Sequence, residues 1–223
     1  MVTNVMTIWG RANSVNVQKV LWLCEELSLP YERIDAGLQF GRNRDAEYLA
    51  MNPNARIPTL VDGDFVLWES NAILRYLVMQ YGGASGVAGA GSGASSPLYP
   101  ADPKTRASID RWLDWSLSTL QPAERPVFWG IIRTPASERD NAQILADVAN
   151  VAPLWEMLNT QLIDRSFIEA GNLTLADIVL GSYAKRWFEL PGIQRPSMPY
   201  LEAWYQRLSA HAGFVKYVDV ELS

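Results

Sequence analysis

Ser14 sits where a short strand-like run gives way to an apolar-periodic helix, the position of a helix N-cap. A hydroxyl there can cap the helix. It can also join the positive helix end in stabilising an anion held in the preceding loop, Gly10-Arg11-Ala12-Asn13-Ser14. A thiolate on a bound ligand is such an anion. Lowering a thiol pKa by two units takes about 2.7 kcal/mol, and one charge-assisted hydrogen bond with a helix end supplies roughly that amount. Ser14 is not a triad nucleophile, because the single histidine, His211, is remote in sequence.

A second group of residues is built for holding rather than reacting. Asn52 to Leu60 contains Ile57-Pro58, a β-branched residue before proline, in a tight turn that admits a cis peptide. Glu69-Ser70-Asn71 follows and opens another apolar-periodic run. An acid and a small polar residue suit a first helical turn. As a pair they also complement an amino acid: Glu69 accepts from an α-ammonium, while the Ser70 hydroxyl and exposed N–H groups donate to an α-carboxylate. Two further features read as structural. Thr174-Leu175-Ala176-Asp177 is a capping box flanked by a Leu173–Ile178 staple, and Cys24 lies on an apolar helical stripe with no second cysteine to make a dithiol.

The elements that must position these residues are legible in order. Residues 4–9 read as a strand, and Val17, Val20, Leu21, Cys24 and Leu27 as a helix ended by Pro30. Tyr31 to Asp35 is a second strand, which implies a parallel pair with a right-handed crossover. Asp45 to Met51 is a short helix; Ile57–Val61 and Phe65–Leu67 are strands joined at Asp62-Gly63-Asp64; Ile73, Leu77 and Tyr81 mark a helix stripe. The Gly/Ala/Ser-rich tract at 82–96 is a flexible insert and a natural boundary. Beyond Pro103 the pattern is helical throughout, with segments at 104–121, 137–163, 174–188 and 200–209, a kink or break at Pro122 and Pro126, and Val127 to Arg133 as a continuation of the first segment. The expected architecture is an α/β domain (βαβαββα) at 1–81, a linker at 82–103, and an all-α helical bundle domain at 104–223.

Composition narrows the chemistry. The chain has 223 residues, 48% hydrophobic and 19% charged, with a net charge of −5, which argues against a nucleic-acid partner. One Cys and one His leave no metal cluster and no disulfide framework. With no basic leader and no apolar run of about 18 residues, the expectation is a cytoplasmic protein without a membrane partner.

The βαβαββα half, the Ile57-Pro58 turn, Glu69-Ser70, and the helical half carrying Gly171-x-x-Thr174-x-Ala176-Asp177 together resemble the cytosolic glutathione S-transferases. Residues 9–20, with Arg111-Trp112-Leu113-Asp114-Trp115, are similar to a bacterial theta-related group that includes the GstB-type enzymes. The resemblance implies a thioredoxin-like first domain that binds glutathione, with a cis Pro58 and the Ile57 backbone on the cysteinyl part. Glu69 and Ser70 take the γ-glutamyl end, and Gln39, Asn54 and Arg56 face the glycyl carboxylate. It implies a helical domain that receives a small electrophile, lined by Arg11, Trp112, Trp115 and Arg133, and a two-fold homodimer. Ser14 is the expected thiolate donor, with Asn13 and Asn16 as alternatives. Trp9 stands near the place of a catalytic tyrosine in other classes, but an indole N–H cannot act as a phenol does. The leading expectation is a glutathione transferase using glutathione as co-substrate and no metal. The rivals are a non-catalytic glutathione-binding or regulatory protein, and a glutathione-dependent peroxidase or disulfide reductase.

Overall fold

The structure, a computed structural model, describes residues 5–83 and 96–223. The chain divides into two compact units, one of residues 1–101 with 212–220 and the other of residues 102–211 with 221–223. Residues 84–95, most of the expected linker insert, lie outside the described residues.

The first unit is built on a four-stranded mixed sheet. Strands β1 (Met6–Trp9), β2 (Tyr31–Ile34), β3 (Thr59–Asp62) and β4 (Phe65–Trp68) lie in the order β2-β1-β3-β4. β1 and β2 are parallel, as the crossover helix α1 (Val15–Glu26) requires; β3 is antiparallel to β1 and to β4. Helices α2 (Ala46–Met51) and α3 (Ser70–Tyr81) complete the βαβαββα order.

Helix α1 departs from the amphipathic expectation. Its residues from Val15 to Cys24 are all buried except Asn16, including Gln18 and Lys19. The reason is a cover that the sequence pattern did not reveal: α9 (Ala212–Tyr217) leaves the helical half of the chain and packs on α1. Phe214 meets Trp22 edge-on with ring centroids 5.3 Å apart, Lys216 Nζ donates to Glu25 at 2.8 Å, and Tyr31 and Tyr217 share a hydroxyl bond of 2.9 Å. The end of α1 also differs from expectation. Ser28, at φ +52°, closes it before Pro30, with Ser28 N–H bonded to Glu25 O and Leu29 N–H to Cys24 O, a Schellman arrangement.

The second unit contains α4 (Pro103–Trp115), α5 (Gln121–Phe128), α6 (Asn141–Gln161), α7 (Leu175–Glu189) and α8 (Pro199–Leu208). Of the kink or break expected at Pro122 and Pro126 and the continuation expected over 127–133, the continuation is observed. Both prolines lie in α5 between wide π-type turns at Ser116–Leu120 and Trp129–Arg133. These turns shift the hydrogen-bond ladder by one residue on either side of the missing N–H groups. Helix α6 begins at Asn141 rather than 137, because Asp140 caps it by accepting from Gln143 N–H at 3.0 Å.

The capping box at the start of α7 forms and does more than cap. Fully buried Asp177 accepts through Oδ2 from Thr174 N–H (2.9 Å) and the Thr174 hydroxyl (2.8 Å). Its Oδ1 accepts from Ile168 N–H and Trp204 Nε1, both at 2.9 Å. One side chain therefore ties α7 to α8 and to the preceding loop.

Candidate functional site

Ser14 is the N-cap of α1 in extended backbone (φ −92°, ψ 121°), and its carbonyl accepts from Val17 and Gln18 N–H. The hydroxyl, however, makes no cap bond. A capping serine normally accepts from one of the first N–H groups; this hydroxyl is not held in that orientation, and its O–H can donate to a ligand atom while the backbone still starts the helix. The loop before it is laced to β2: Gly10 N–H donates to Ile34 O at 2.8 Å, Arg11 N–H to Ala36 O at 3.2 Å, and Arg33 Nη1 to Gly10 O at 3.0 Å. Gly10 is required there, since a Cβ would fall 2.5 Å from Val17 Cγ2.

The turn at Ile57-Pro58 is cis. Among the described residues no backbone hydrogen bond engages the Ile57 N–H or C=O. The turn is held from behind by residues whose role sequence reasoning missed. Tyr48 of α2 donates to Arg56 O at 2.6 Å and contacts Thr59 Oγ1 at 2.8 Å; Asn52 Nδ2 donates to the same two acceptors at 2.8 and 3.0 Å. Asn52 Oδ1 also receives Asn54 N–H at 3.1 Å. The signal was a buried tyrosine on a six-residue helix and an asparagine at its end. Trp9 packs edge-on against Tyr48 with Ala36 in the core beneath, which gives it a structural role.

Glu69 lies just before α3 with φ +72°, a backbone region costly for a residue with a side chain. Its side chain makes no cap bond and is exposed. Buried Ser70 donates to Asn16 Oδ1 at 3.4 Å, bridging the first turns of α3 and α1. One turn further along, the fully buried Lys19 donates from Nζ to Asn71 Oδ1 at 2.7 Å. Burial pushes the Lys19 ammonium down to about 7, against the pull of the Glu69 carboxylate and with the repulsion of Arg75. Cys24, deeper on α1, is a buried thiol pushed up to about 12 by desolvation and is not a nucleophile.

The first unit thus brings Ser14, Asn16, Glu69 and Ser70 onto the adjoining starts of α1 and α3. Asn13 is in the α1 loop; Gln39 is on an exposed 3-10 turn, Leu38–Phe40; Asn54 and Arg56 are exposed beside the cis turn. The Arg11 guanidinium lies beside Gly37, where it would be 3.6 Å from an added Cβ, and Ile57 borders the same spot. The other expected pocket residues are in the second unit. Trp112 is buried and donates from Nε1 to Glu169 at 2.9 Å, so its polar handle is engaged in the core. Trp115 meets it edge-on and is partly exposed. Arg133 donates to the Ser223 carbonyl and lies over the Phe128 ring. Among the described residues no group of three or more His, Cys, Asp or Glu is placed to hold a metal ion, and no helix is long and apolar enough to cross a membrane.

A thioredoxin-like βαβαββα unit with a cis-proline turn and an acid–serine step at a helix start, followed by an α-helical unit, defines a class of protein, and the comparisons agree. Residues 4–79 match the family model for the glutathione S-transferase N-terminal domain. The chain belongs to the glutathione S-transferase family. It is 39% identical over 221 residues to glutathione S-transferase GstB of Escherichia coli, covering 98% of this chain and 100% of that protein. Among solved structures it is similar to a theta class glutathione S-transferase from Xanthomonas axonopodis pv. citri with glutathione bound. That match has a TM-score of 0.88, 43% identity, and coverage of 98% and 99% of the two chains. A glutathione transferase of Bombyx mori, BmGSTD1, matches with a TM-score of 0.81 and 26% identity, over 96% of this chain and 93% of its own.

Proposed function

We propose that the protein binds glutathione in its first unit, holds the thiol as thiolate against Ser14, and transfers it to a small electrophile. The observation that carries this is the Ser14 hydroxyl, buried at the N-terminus of α1 and not used to cap it. The γ-glutamyl α-ammonium meets the exposed Glu69 carboxylate, and its α-carboxylate meets Ser70 and the N–H groups at the start of α3. The cysteinyl backbone pairs with the Ile57 N–H and C=O. Gln39, Asn54 and Arg56 receive the glycyl carboxylate. In the reaction the thiol proton leaves to solvent and the sulfur lone pair forms the new carbon–sulfur bond. The electrophile's leaving group, or its activated π bond, takes the displaced electron pair. Asn13 and Asn16 flank Ser14 and are the alternative thiolate donors.

The second unit is the candidate electrophile side, with Trp115 and Arg133 as its candidate residues; an arginine there favours anionic electrophiles. Trp112 supports Trp115 from the core. We read the protein as a cytoplasmic homodimer acting in detoxification. Its one cysteine is a buried thiol, and Phe65, Val66 and Trp68 on edge strand β4 are exposed, as a self-association face requires.

The test is a thiolate absorbance titration of bound glutathione in wild type and Ser14→Ala. The variant is expected to raise the bound thiol pKa by about 1–2 units, the worth of one charge-assisted hydrogen bond. An unshifted pKa in wild type makes the protein a binder without turnover. Equal activity of both forms towards a haloacid and a hydroperoxide removes Ser14 from the mechanism, and a hydroperoxide preference makes the enzyme a peroxidase.

A further inference from the structure

The start of α3 is tied to α1 by two side-chain bridges, Ser70 to Asn16 and Lys19 to Asn71. The second is the stronger, at 2.7 Å against 3.4 Å and with no solvent to compete. Lys19 is one of the largest fully buried side chains in the chain, yet nothing in the thiolate chemistry uses it. A buried ammonium is costly for the fold, so its placement at this junction calls for a role. Its charged neighbours are Glu69, immediately before Asn71 and Ser70, and Arg75 on α3. On the α9 side the cation is Lys216, which pairs with Glu25 instead. Lys19 therefore stands at the step that carries Glu69 at φ +72°.

We infer that Lys19 is a positioning residue for the γ-glutamyl end of glutathione: through Asn71 it fixes the first turn of α3 so that Glu69 and Ser70 face the ligand. The inference rests on the proposed binding of glutathione at Glu69-Ser70. Without the bridge, Glu69 relaxes towards ordinary φ and the amino-acid cradle opens, while the cis turn, held by Tyr48 and Asn52, keeps its form. The loss therefore falls on one end of the ligand only.

The experiment measures affinity of wild type and Lys19→Met for glutathione, S-methylglutathione and cysteinylglycine by calorimetry or competition. Steady-state kinetics at saturating glutathione run alongside. Removing one buried hydrogen bond's worth of positioning predicts about tenfold weaker binding of glutathione and S-methylglutathione. Cysteinylglycine, which has no γ-glutamyl group, is expected to bind both proteins alike. The KM for glutathione rises, and kcat and the electrophile KM stay within about twofold of wild type. Equal weakening of all three ligands, or unchanged glutathione affinity in a folded variant, overturns the inference. If Lys19→Met does not fold, Asn71→Ala carries the same comparison, with about threefold expected and the same pattern required. Failure of wild type itself to bind glutathione refutes the parent reading and is visible before any variant is made.

Discussion

Replacing Asp177 with alanine tests how much of the helical unit hangs on one buried carboxylate. Four donors lose their acceptor together: Thr174 N–H, the Thr174 hydroxyl, Ile168 N–H and Trp204 Nε1. Thr174, Ile168 and Trp204 are all fully buried. Orphaning each donor costs about 1–3 kcal/mol, or about 4–12 kcal/mol for the set. An opposing effect is read from the carboxyl pKa. Burial outweighs the four donors and pushes it from 3.8 up to about 6, so the ionised form carries a penalty of about 3 kcal/mol at neutral pH. Removing the charge removes that penalty, and the expected net loss is about 1–9 kcal/mol, centred on about 5. Urea unfolding followed by tryptophan fluorescence measures it, with Trp204 inside the affected region. Asp177→Asn falls between, because an amide offers an oxygen to only one side: to Ile168 and Trp204, or to Thr174, but not to both. The pH dependence has a defined sign. Between about 4 and about 6 the folded state holds the proton that the unfolded chain has released, so this group lowers stability as pH rises through that window. The Asn variant lacks that slope. A loss below about 1 kcal/mol in Asp177→Ala, or a wild-type contribution that rises with pH from 4 to 6, refutes the reasoning.

Other regions give independent tests. Lys19 titrates at about 7 in the fold against 10.5 unfolded, so between those values the unfolded chain holds more protons and stability rises with pH. The 3.5-unit difference amounts to about 5 kcal/mol, seen as wild-type stability gaining on Lys19→Met between pH 7 and 10 and as no gain below about pH 6. Gly213→Ala places a Cβ 2.3 Å from Trp22 Cδ1 and 3.0 Å from the Trp22 carbonyl; a loss of about 1–3 kcal/mol in thermal or urea unfolding is expected. Cys24, buried with its thiol pushed up to about 12, is expected to resist alkylation by iodoacetamide in the native protein and to react fully in urea, with mass spectrometry as the readout.

The placement of much of the candidate site was legible because its residues lie close to one another in sequence or follow local rules. Ser14 at a strand-to-helix junction, Ile before Pro58, and Glu69-Ser70 at a helix start are each short-range signals, and each falls where expected. The capping box at Thr174 was legible for the same reason. What escaped was long-range. Lys19 and Asn71 are 52 residues apart, and a lysine on a helix reads as a solvated face until the packing shows otherwise. Tyr48 and Asn52 support the cis turn through bonds to Arg56 O and Thr59, which no periodicity announces. Pro122 and Pro126 read as breakers because local rules assume regular α-helix, and the wide turns beside them remove that assumption.

The sequence by itself determined the βαβαββα order of the first 81 residues and marked Ser14, Ile57-Pro58 and Glu69-Ser70 as candidates for holding a ligand. These follow from propensity, spacing and composition, which act over a few residues. Only the tertiary structure decided that the Ser14 hydroxyl is left uncapped, that Asp177 also accepts from Trp204, and that α9 covers α1 and makes it a core helix. It alone showed Lys19 buried at the junction of α1 and α3. These are outcomes of which distant surfaces exclude water from one another, and that exclusion sets the strength of buried interactions such as the Lys19–Asn71 bond.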